Sequence, residues 1–277
     1  MDNHQIAILG SGSMGTAILS GLIAAGSAPE MIKASTATSK SAKALTEKFS
    51  IQAFAIEASE SANTEAAEGA DILLIAVKPA KALETLGEIK SSIQDGALVI
   101  SVAAGITTEA MEQVIGSKAS VIRAMPNTPS IVGHGVTGIS KGASANDAQL
   151  EIAKQLFETV GQVLIVEENK INALSTISGS GPAYVFYFAE KLMAAAKKLG
   201  FSEKEANLMV RATFLGSATL LAASSDSPET LRAQVTSPNG TTMQATAKFD
   251  EADLEKVFIE ATGAALARAI ELGNVKS

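Results

Sequence analysis

The clearest chemical grouping lies near the start of the chain, where Ile6-Ala7-Ile8-Leu9 runs into Gly10-Ser11-Gly12-Ser13-Met14-Gly15. This is a G-x-G-x-x-G turn between an apolar run and the helix-compatible residues 16–22. Gly10 permits a tight turn, Gly12 lets a pyrophosphate approach the backbone, and Gly15 lets strand and helix pack closely. A helix starting here offers unpaired N–H groups and a partial positive charge to an anion. The spacing therefore predicts a dinucleotide site. About 20 residues on, an NAD-selective site would place an acid against the ribose 2′-hydroxyl. The corresponding stretch is Ala34-Ser35-Thr36-Ala37-Thr38-Ser39-Lys40, which has no carboxylate. Hydroxyls and a lysine suit a 2′-phosphate, so NADPH is the expected cofactor and NADH the alternative. Helix capping by the same hydroxyls is compatible with either.

Other chemistries are narrowed by what is scarce. The 277 residues contain no Cys, and their His residues are His4 and His134. That removes disulfides, thiolate nucleophiles and Cys-based zinc sites, and no residue is assigned to a metal. With 22 Lys+Arg against 29 Asp+Glu the net charge is −7, and no dense basic stripe points to a nucleic-acid partner. A hydrophobic fraction of 47% with 18% charged residues is enough for a sizeable core. The run 6–26 carries no charge and is long enough to cross a bilayer. Its glycines, with Asp2 ahead of it, argue against both a spanning helix and a signal peptide. No membrane partner and a cytoplasmic location are expected.

The elements that would hold these groups alternate through the first half. Residues 5–9, 31–35, 72–77, 97–102, 120–124, 135–140 and 162–166 read as strands, and 14–25, 39–49, 80–90 and 108–115 as helices. Ile72-Leu73-Leu74-Ile75-Ala76-Val77 is apolar throughout, like a central parallel strand covered on both faces. The pattern predicts an α/β, doubly wound, mostly parallel sheet. After Val166 no strand pattern remains. Residues 182–199 open with Pro182 and stop before Gly200, and Ser202 with Glu205 forms a capping box for the next helix. From 206 to 224 the only charge is Arg211, so this helix is expected to be buried, in good part by a second subunit. Asp250 is expected to cap a last helix running to about 272. Two domains follow, 1–165 and 166–277.

Further motifs fall in register along the chain. They are Ala76-Val77-Lys78-Pro79, Ser101-Val102-Ala103-Ala104-Gly105-Ile106, Arg123-Ala124-Met125-Pro126-Asn127-Thr128-Pro129 and Ser178-Gly179-Ser180-Gly181-Pro182-Ala183-Tyr184. The last is Val235-Thr236-Ser237-Pro238-Asn239-Gly240-Thr241-Thr242. Together, in this order, the chain resembles the pyrroline-5-carboxylate reductases from Ile6 into the final helix. The resemblance implies a Rossmann domain followed by an all-α dimerisation domain, two chains interlocking through their C-terminal helices and dimers assembling further into rings. It implies reduction of the cyclic imine Δ1-pyrroline-5-carboxylate to L-proline by hydride from NAD(P)H, the last step of proline biosynthesis. Its cofactor contacts carry over onto Leu9, Gly10, Ser11, Gly12, Ser13 and Met14, onto Ser35, Thr36 and Asn63, onto Ala76, Val77, Lys78 and Pro79, and onto Ala103, Ala104 and Gly105. Its substrate contacts carry over onto Glu168, Gly240, Thr241 and Thr242. The chain departs from the family pattern at Asn239, where Gly is usual, and at Gln234, where Asn is frequent. Asn tolerates the left-handed region, so the turn can keep its shape.

For such a substrate, hydride transfer needs placement more than side-chain chemistry. The 237–242 turn would supply N–H groups at a helix start, an anion seat that needs no Arg. Thr242 is expected to hydrogen-bond the ring nitrogen, orienting it or relaying its proton; capping by Thr241 and Thr242 is the plain structural alternative. An imine nitrogen can arrive protonated from water, which fits the lack of an obvious acid. Tyr184 and Tyr187 read as core residues, Lys78 as a cofactor contact or a solvated lysine, and Arg123 as a brace for the Pro-rich turn. Pro126 and Pro129 are candidates for cis bonds, and His4 and His134 read as solvated or structural. A β-hydroxyacid dehydrogenase would instead need a catalytic lysine, with Lys191, Lys197 and Lys198 as candidates. A non-catalytic dinucleotide sensor would need a degraded 237–242 turn, and that turn is nearly complete.

Overall fold

Strands β1 (Ile6–Leu9) and β4 (Ile72–Ile75) are apolar on both faces, and both faces are covered. Ile6, Ile8, Ile72 and Leu74 pack on one side, Ala7, Leu9, Leu73 and Ile75 on the other. A strand with that pattern is stable only inside a sheet with helices on both faces. The computed structural model, which describes residues 4–274, has that sheet. β2 (Ile32–Thr36), β3 (Gln52–Ala55), β5 (Ala97–Ser101), β6 (Ala119–Met125), β7 (Gly135–Lys141) and β8 (Gly161–Ile165) complete it in the order β3-β2-β1-β4-β5-β6-β7-β8. Among the described residues only β6 and β7 pair antiparallel. Order reverses between β1 and β4, which register Ile6 against Ile72 and Leu9 against Ile75. The crevice beyond their C-terminal ends is where open sheets of this kind bind ligands.

One face carries α1 (Ser13–Ala24), α2 (Ser39–Phe49) and α6 (Asp147–Glu158), which bury Ile18, Leu22, Leu45, Phe49 and Phe157. The other carries α3 (Ala62–Ala67), α4 (Ala82–Ile89) and α5 (Thr108–Ile115), burying Ala66, Leu86, Ile89, Met111 and Ile115. Each fully buried Leu, Ile or Phe here contributes about 1.5–3 kcal/mol. The charge-free run 6–26 is thus a strand, a turn and a helix, and not a membrane span.

After β8 the chain forms the short helix α7 (Ile171–Leu174) and a π-helical turn, Ser175–Gly179. Then come α8 (Gly181–Lys198), α9 (Glu203–Ala223), α10 (Pro228–Gln234), α11 (Thr241–Glu251) and α12 (Leu254–Asn274). The described residues fall into two compact units, one up to Ser180 and again from Ala265, the other Gly181–Ala264. The capping box at Ser202 and Glu205 is present. Within Gly181–Ala264 the buried apolar residues are Ala196, Ala206 and Val210 alone, whereas Leu208 and Leu215 of α9 are each 71% exposed. Among the described residues α9 is the one helix long and apolar enough to cross a membrane.

Several local expectations are corrected. β3, α3, α6 and α10 had not been expected, whereas the helix start expected at the 237–242 turn is that of α11. β3 is an edge strand whose Gln52-Ala53-Phe54-Ala55 has no β-branched residue, so it carries little strand signal. α6 does have a readable start, since Asn146 and Gln149 form a capping box. Asp250 lies inside α11; the residue that accepts from the first turn of α12 is Asp253, through Lys256 N at 3.2 Å. No peptide bond is cis among the described residues, Pro126 and Pro129 included. Tyr187 is exposed and Tyr184 half-buried, so neither is a core residue of its own unit.

Candidate active site

The glycine turn is fixed by contacts that leave no room for side chains. Gly10 has φ +95°, and a Cβ there would lie 2.6 Å from Val77 N. A Cβ on Gly15 would collide with Gly10 O, whereas one on Gly12 would meet open space. Gly10 N and Ser11 N both donate to Ser35 O, at 3.1 and 3.0 Å, tying the turn to the end of β2. Gly12 is the N-cap of α1; no side chain caps the helix, and no acid lies in its first turn. The first-turn N–H groups and the open space above Gly12 fit a pyrophosphate. The turn abuts Ala76 and Val77, so the residues after β1 and β4 meet where the strand order reverses.

The hydroxyl residues after β2 divide into two sets. Ser35 is fully buried and Thr36 nearly so; Ser35 Oγ donates to Asn63 Oδ1 at 2.7 Å, and Asn63 Nδ2 donates to Glu88 at 2.9 Å. The Ser35 and Asn63 side chains therefore bond each other. Ser39 and Lys40 are exposed, and Thr38 caps α2 by accepting from Ser41 N at 3.2 Å. Lys78 and Pro79 are exposed beyond β4 and Ala104 beyond β5, while Gly105 is half-buried and Ala103 buried.

Next to these loops is a cavity of about 690 Å³. Pro79, Leu83, Ala104, Gly105, Ile106 and Thr107 line one part, Arg123, Met125, Asn172 and Ser175 another, and Ala269, Leu272 and Gly273 of α12 a third. Its size is ordinary for a small-molecule site. Arg123 is the buried charge in its wall, donating to Asn172 Oδ1 at 2.8 Å and facing Glu168 Oε1 at 3.4 Å. Glu168 is further held by Thr108, whose N donates at 2.8 Å and whose Oγ1 donates at 2.5 Å. Burial pulls the Arg123 guanidinium below its ordinary pKa, and Glu168 draws it back up. It remains the cation of the wall. Arg123 thus does not brace the Pro-rich turn. Asn127 does, donating to Ser178 O at 2.9 Å and accepting from Val136 N at 2.9 Å.

In the helical unit, Asn239 takes φ +57°, the left-handed value expected for it. A Cβ on Gly240 would press on Ser237 Oγ at 2.5 Å, so a side chain there would displace the Ser237 hydroxyl. Gly240 is the N-cap of α11, and no side chain caps that helix. Thr241 and Thr242 are exposed first-turn residues, which rules out either as the N-cap. The turn therefore offers backbone N–H groups and two hydroxyls at a positive helix end. Gln234 donates to Asp226 at 2.9 Å. Lys191 is paired with Glu190 at 2.6 Å and sits over the Tyr187 ring, and Lys197 and Lys198 are exposed.

Arg123, Thr108 and Asn172 were not read as part of a site from sequence. The signal at hand was Arg123 in a strand otherwise apolar enough to be buried.

Comparison with known proteins agrees with this build. Residues 168–272 match the family model for the pyrroline-5-carboxylate reductase dimerisation domain, and residues 5–105 match that for coenzyme F420-dependent NADP oxidoreductases. The chain is 37% identical over 272 residues to pyrroline-5-carboxylate reductase of Corynebacterium melassecola, covering 97% of this chain and 98% of that one. It is 36% identical over 258 residues to the Escherichia coli K12 enzyme, covering 93% and 94%. A solved pyrroline-5-carboxylate reductase from Coxiella burnetii superposes with a TM-score of 0.91 at 35% identity, covering 98% of this chain and 99% of that one. The NADP-bound Plasmodium falciparum pyrroline carboxylate reductase gives 0.85 at 26% identity, covering 99% and 100%. A sheet with an uncapped glycine turn, a helical unit whose apolar face has no cover of its own and full-length similarity at these levels agree: the chain belongs to the pyrroline-5-carboxylate reductase family.

Proposed function

We propose that this protein reduces Δ1-pyrroline-5-carboxylate to L-proline with NADPH, accepting NADH as well. The observation that carries the reading is the glycine turn with an uncapped helix start, open above Gly12, beside a cavity walled by Ala104, Gly105 and Arg123. The pyrophosphate is assigned to Gly10–Met14, with Leu9 and Gly15 shaping the turn. A 2′-phosphate is assigned to the loop 36–40. The nicotinamide side is assigned to Ala76–Pro79 and Ala103–Gly105. Ser35 and Asn63 support that binding surface through their mutual hydrogen bond.

When bound, the nicotinamide supplies a hydride to the imine carbon. The C=N bond becomes C–H and N–H, the second hydrogen being a proton from water that the imine nitrogen already carries. The chain's own task is placement. The Ser237–Thr242 turn holds the substrate carboxylate through Gly240 and Thr241, and Thr242 Oγ1 hydrogen-bonds the ring nitrogen. Glu168 enters the substrate side by fixing the Arg123 guanidinium in the cavity wall. The reductant-carrying part spans 1–165 and the substrate and dimerisation part 166–277. Homodimers form through the C-terminal helices, with α9 in the interface, and dimers assemble into rings. The enzyme works in the cytoplasm. Following NADPH absorbance on adding pyrroline-5-carboxylate to the purified protein tests the reading: oxidation with proline as product supports it, and NADPH binding without turnover sinks it.

A further inference from the structure

The stretch after β2 has no acid, but the fold brings one to it from the next strand. β3 runs parallel to β2, with Ala55 opposite Thr36, and the pairing continues past both strands. Ile56 N donates to Thr36 O at 2.9 Å, and Glu57 N to Ala37 O at 3.1 Å. The Glu57 carboxylate then accepts from Ser39 N, the first residue of α2, at 2.5 Å. That bond holds the carboxyl below the usual carboxylate range, so Glu57 is ionised at neutral pH. The loop is also tied to the phosphate turn, since Ser35 O receives Gly10 N and Ser11 N. A dinucleotide seated on that turn directs its adenosine ribose to the end of β2.

We propose that Glu57 reads the 2′ position of the cofactor. Its carboxylate accepts from the 2′-hydroxyl of NADH and opposes the 2′-phosphate of NADPH, narrowing the NADPH preference that Thr38, Ser39 and Lys40 create. Two effects act together. Glu57 occupies the Ser39 N–H that a phosphate at the start of α2 would take, and it sets a negative charge beside a dianion. The sequence hides this device because the acid comes from the end of β3, well outside the window in which a discriminating carboxylate is sought. The inference rests on the proposed assignment of the 2′-phosphate to the loop 36–40.

Titration calorimetry of the full chain with 5′-AMP and 2′,5′-ADP tests both. Glu57→Gln keeps an acceptor for Ser39 N and removes the charge. It is expected to shift the ratio of the two affinities about tenfold toward 2′,5′-ADP at low salt, an effect that shrinks at about 0.5 M salt as screening shortens. The NADPH-to-NADH ratio of kcat/KM is expected to rise with it. An unchanged affinity ratio in Glu57→Gln overturns the role of Glu57. Lys40→Ala separates the two readings. If it weakens 2′,5′-ADP alone while Glu57→Gln does nothing, the phosphate seat stands and only Glu57 is misassigned. If neither variant alters the ratio, the seat itself is misplaced and both readings fall.

Discussion

Strand β4 and the long run after Ala206 in helix α9 both read as interior segments in sequence and end in opposite situations. Ile72, Leu73, Leu74 and Ile75 are all buried by the chain's own helices, whereas Leu208 and Leu215 stand 71% exposed. The sheet unit closes its two cores within one polypeptide; the helical unit leaves many of its large apolar side chains exposed. An apolar segment must be covered, but its composition does not say by which chain. Residues 168–272 match the family's dimerisation model, which supports homo-oligomerisation, and the function proposed above gives this face a second copy of the chain.

That contrast can be broken first in the sheet. Leu74→Ala is expected to cost about 3 kcal/mol in urea unfolding, the same at every protein concentration, because its cavity lies wholly inside one subunit. A concentration-dependent loss would contradict the self-contained core. Next in size, Thr242→Ala should lower kcat/KM about 100-fold with an unchanged melting temperature, since its side chain is exposed and caps nothing. Turnover like that of the parent protein would remove Thr242 from the chemistry. Leu215→Asp should then weaken self-association about tenfold in sedimentation while leaving the sheet unit's hydrogen-exchange protection intact. Undisturbed association would place the interface elsewhere. The smallest effect concerns the capping box. Ser202 holds the Glu205 carboxyl below its usual 4.5, so the contribution is present above that value and lost as pH falls through the folded one. Glu205→Gln should flatten the acid side of the melting-temperature profile slightly, and a profile identical to the parent's would leave the box without an electrostatic part.

Much of the sheet was legible because its strands are covered on both faces and so are continuous in apolar character, as at 72–75 and 97–101. The edge strand β3 was not, because it is four residues long, partly exposed and without a β-branched residue. The glycine turn was readable residue by residue, since Gly10 and Gly15 answer to steric limits that no other residue meets. Asn239 was readable because Asn tolerates the left-handed region better than other non-glycine residues. The ion pair of Arg123 with Glu168, and the approach of Glu57 to Ser39, were hidden. Both join residues from different strands or loops, and a pairing of that kind is a property of sheet order rather than of local spacing. Ser35 shows the converse: a hydroxyl in the right place by sequence, turned inward to Asn63 once the strands assemble.

The returning end of α12 carries a consequence for how the molecule is made. Gly105 has φ +79°, and its absent Cβ would lie 3.4 Å from Gly273, so two glycine backbones meet in the wall of the cavity. A ribosome delivers Gly105 long before Gly273. The nascent sheet can therefore close its cores and fold the nucleotide loops while the cavity still lacks one wall, and that wall arrives only when the final helix leaves the exit tunnel.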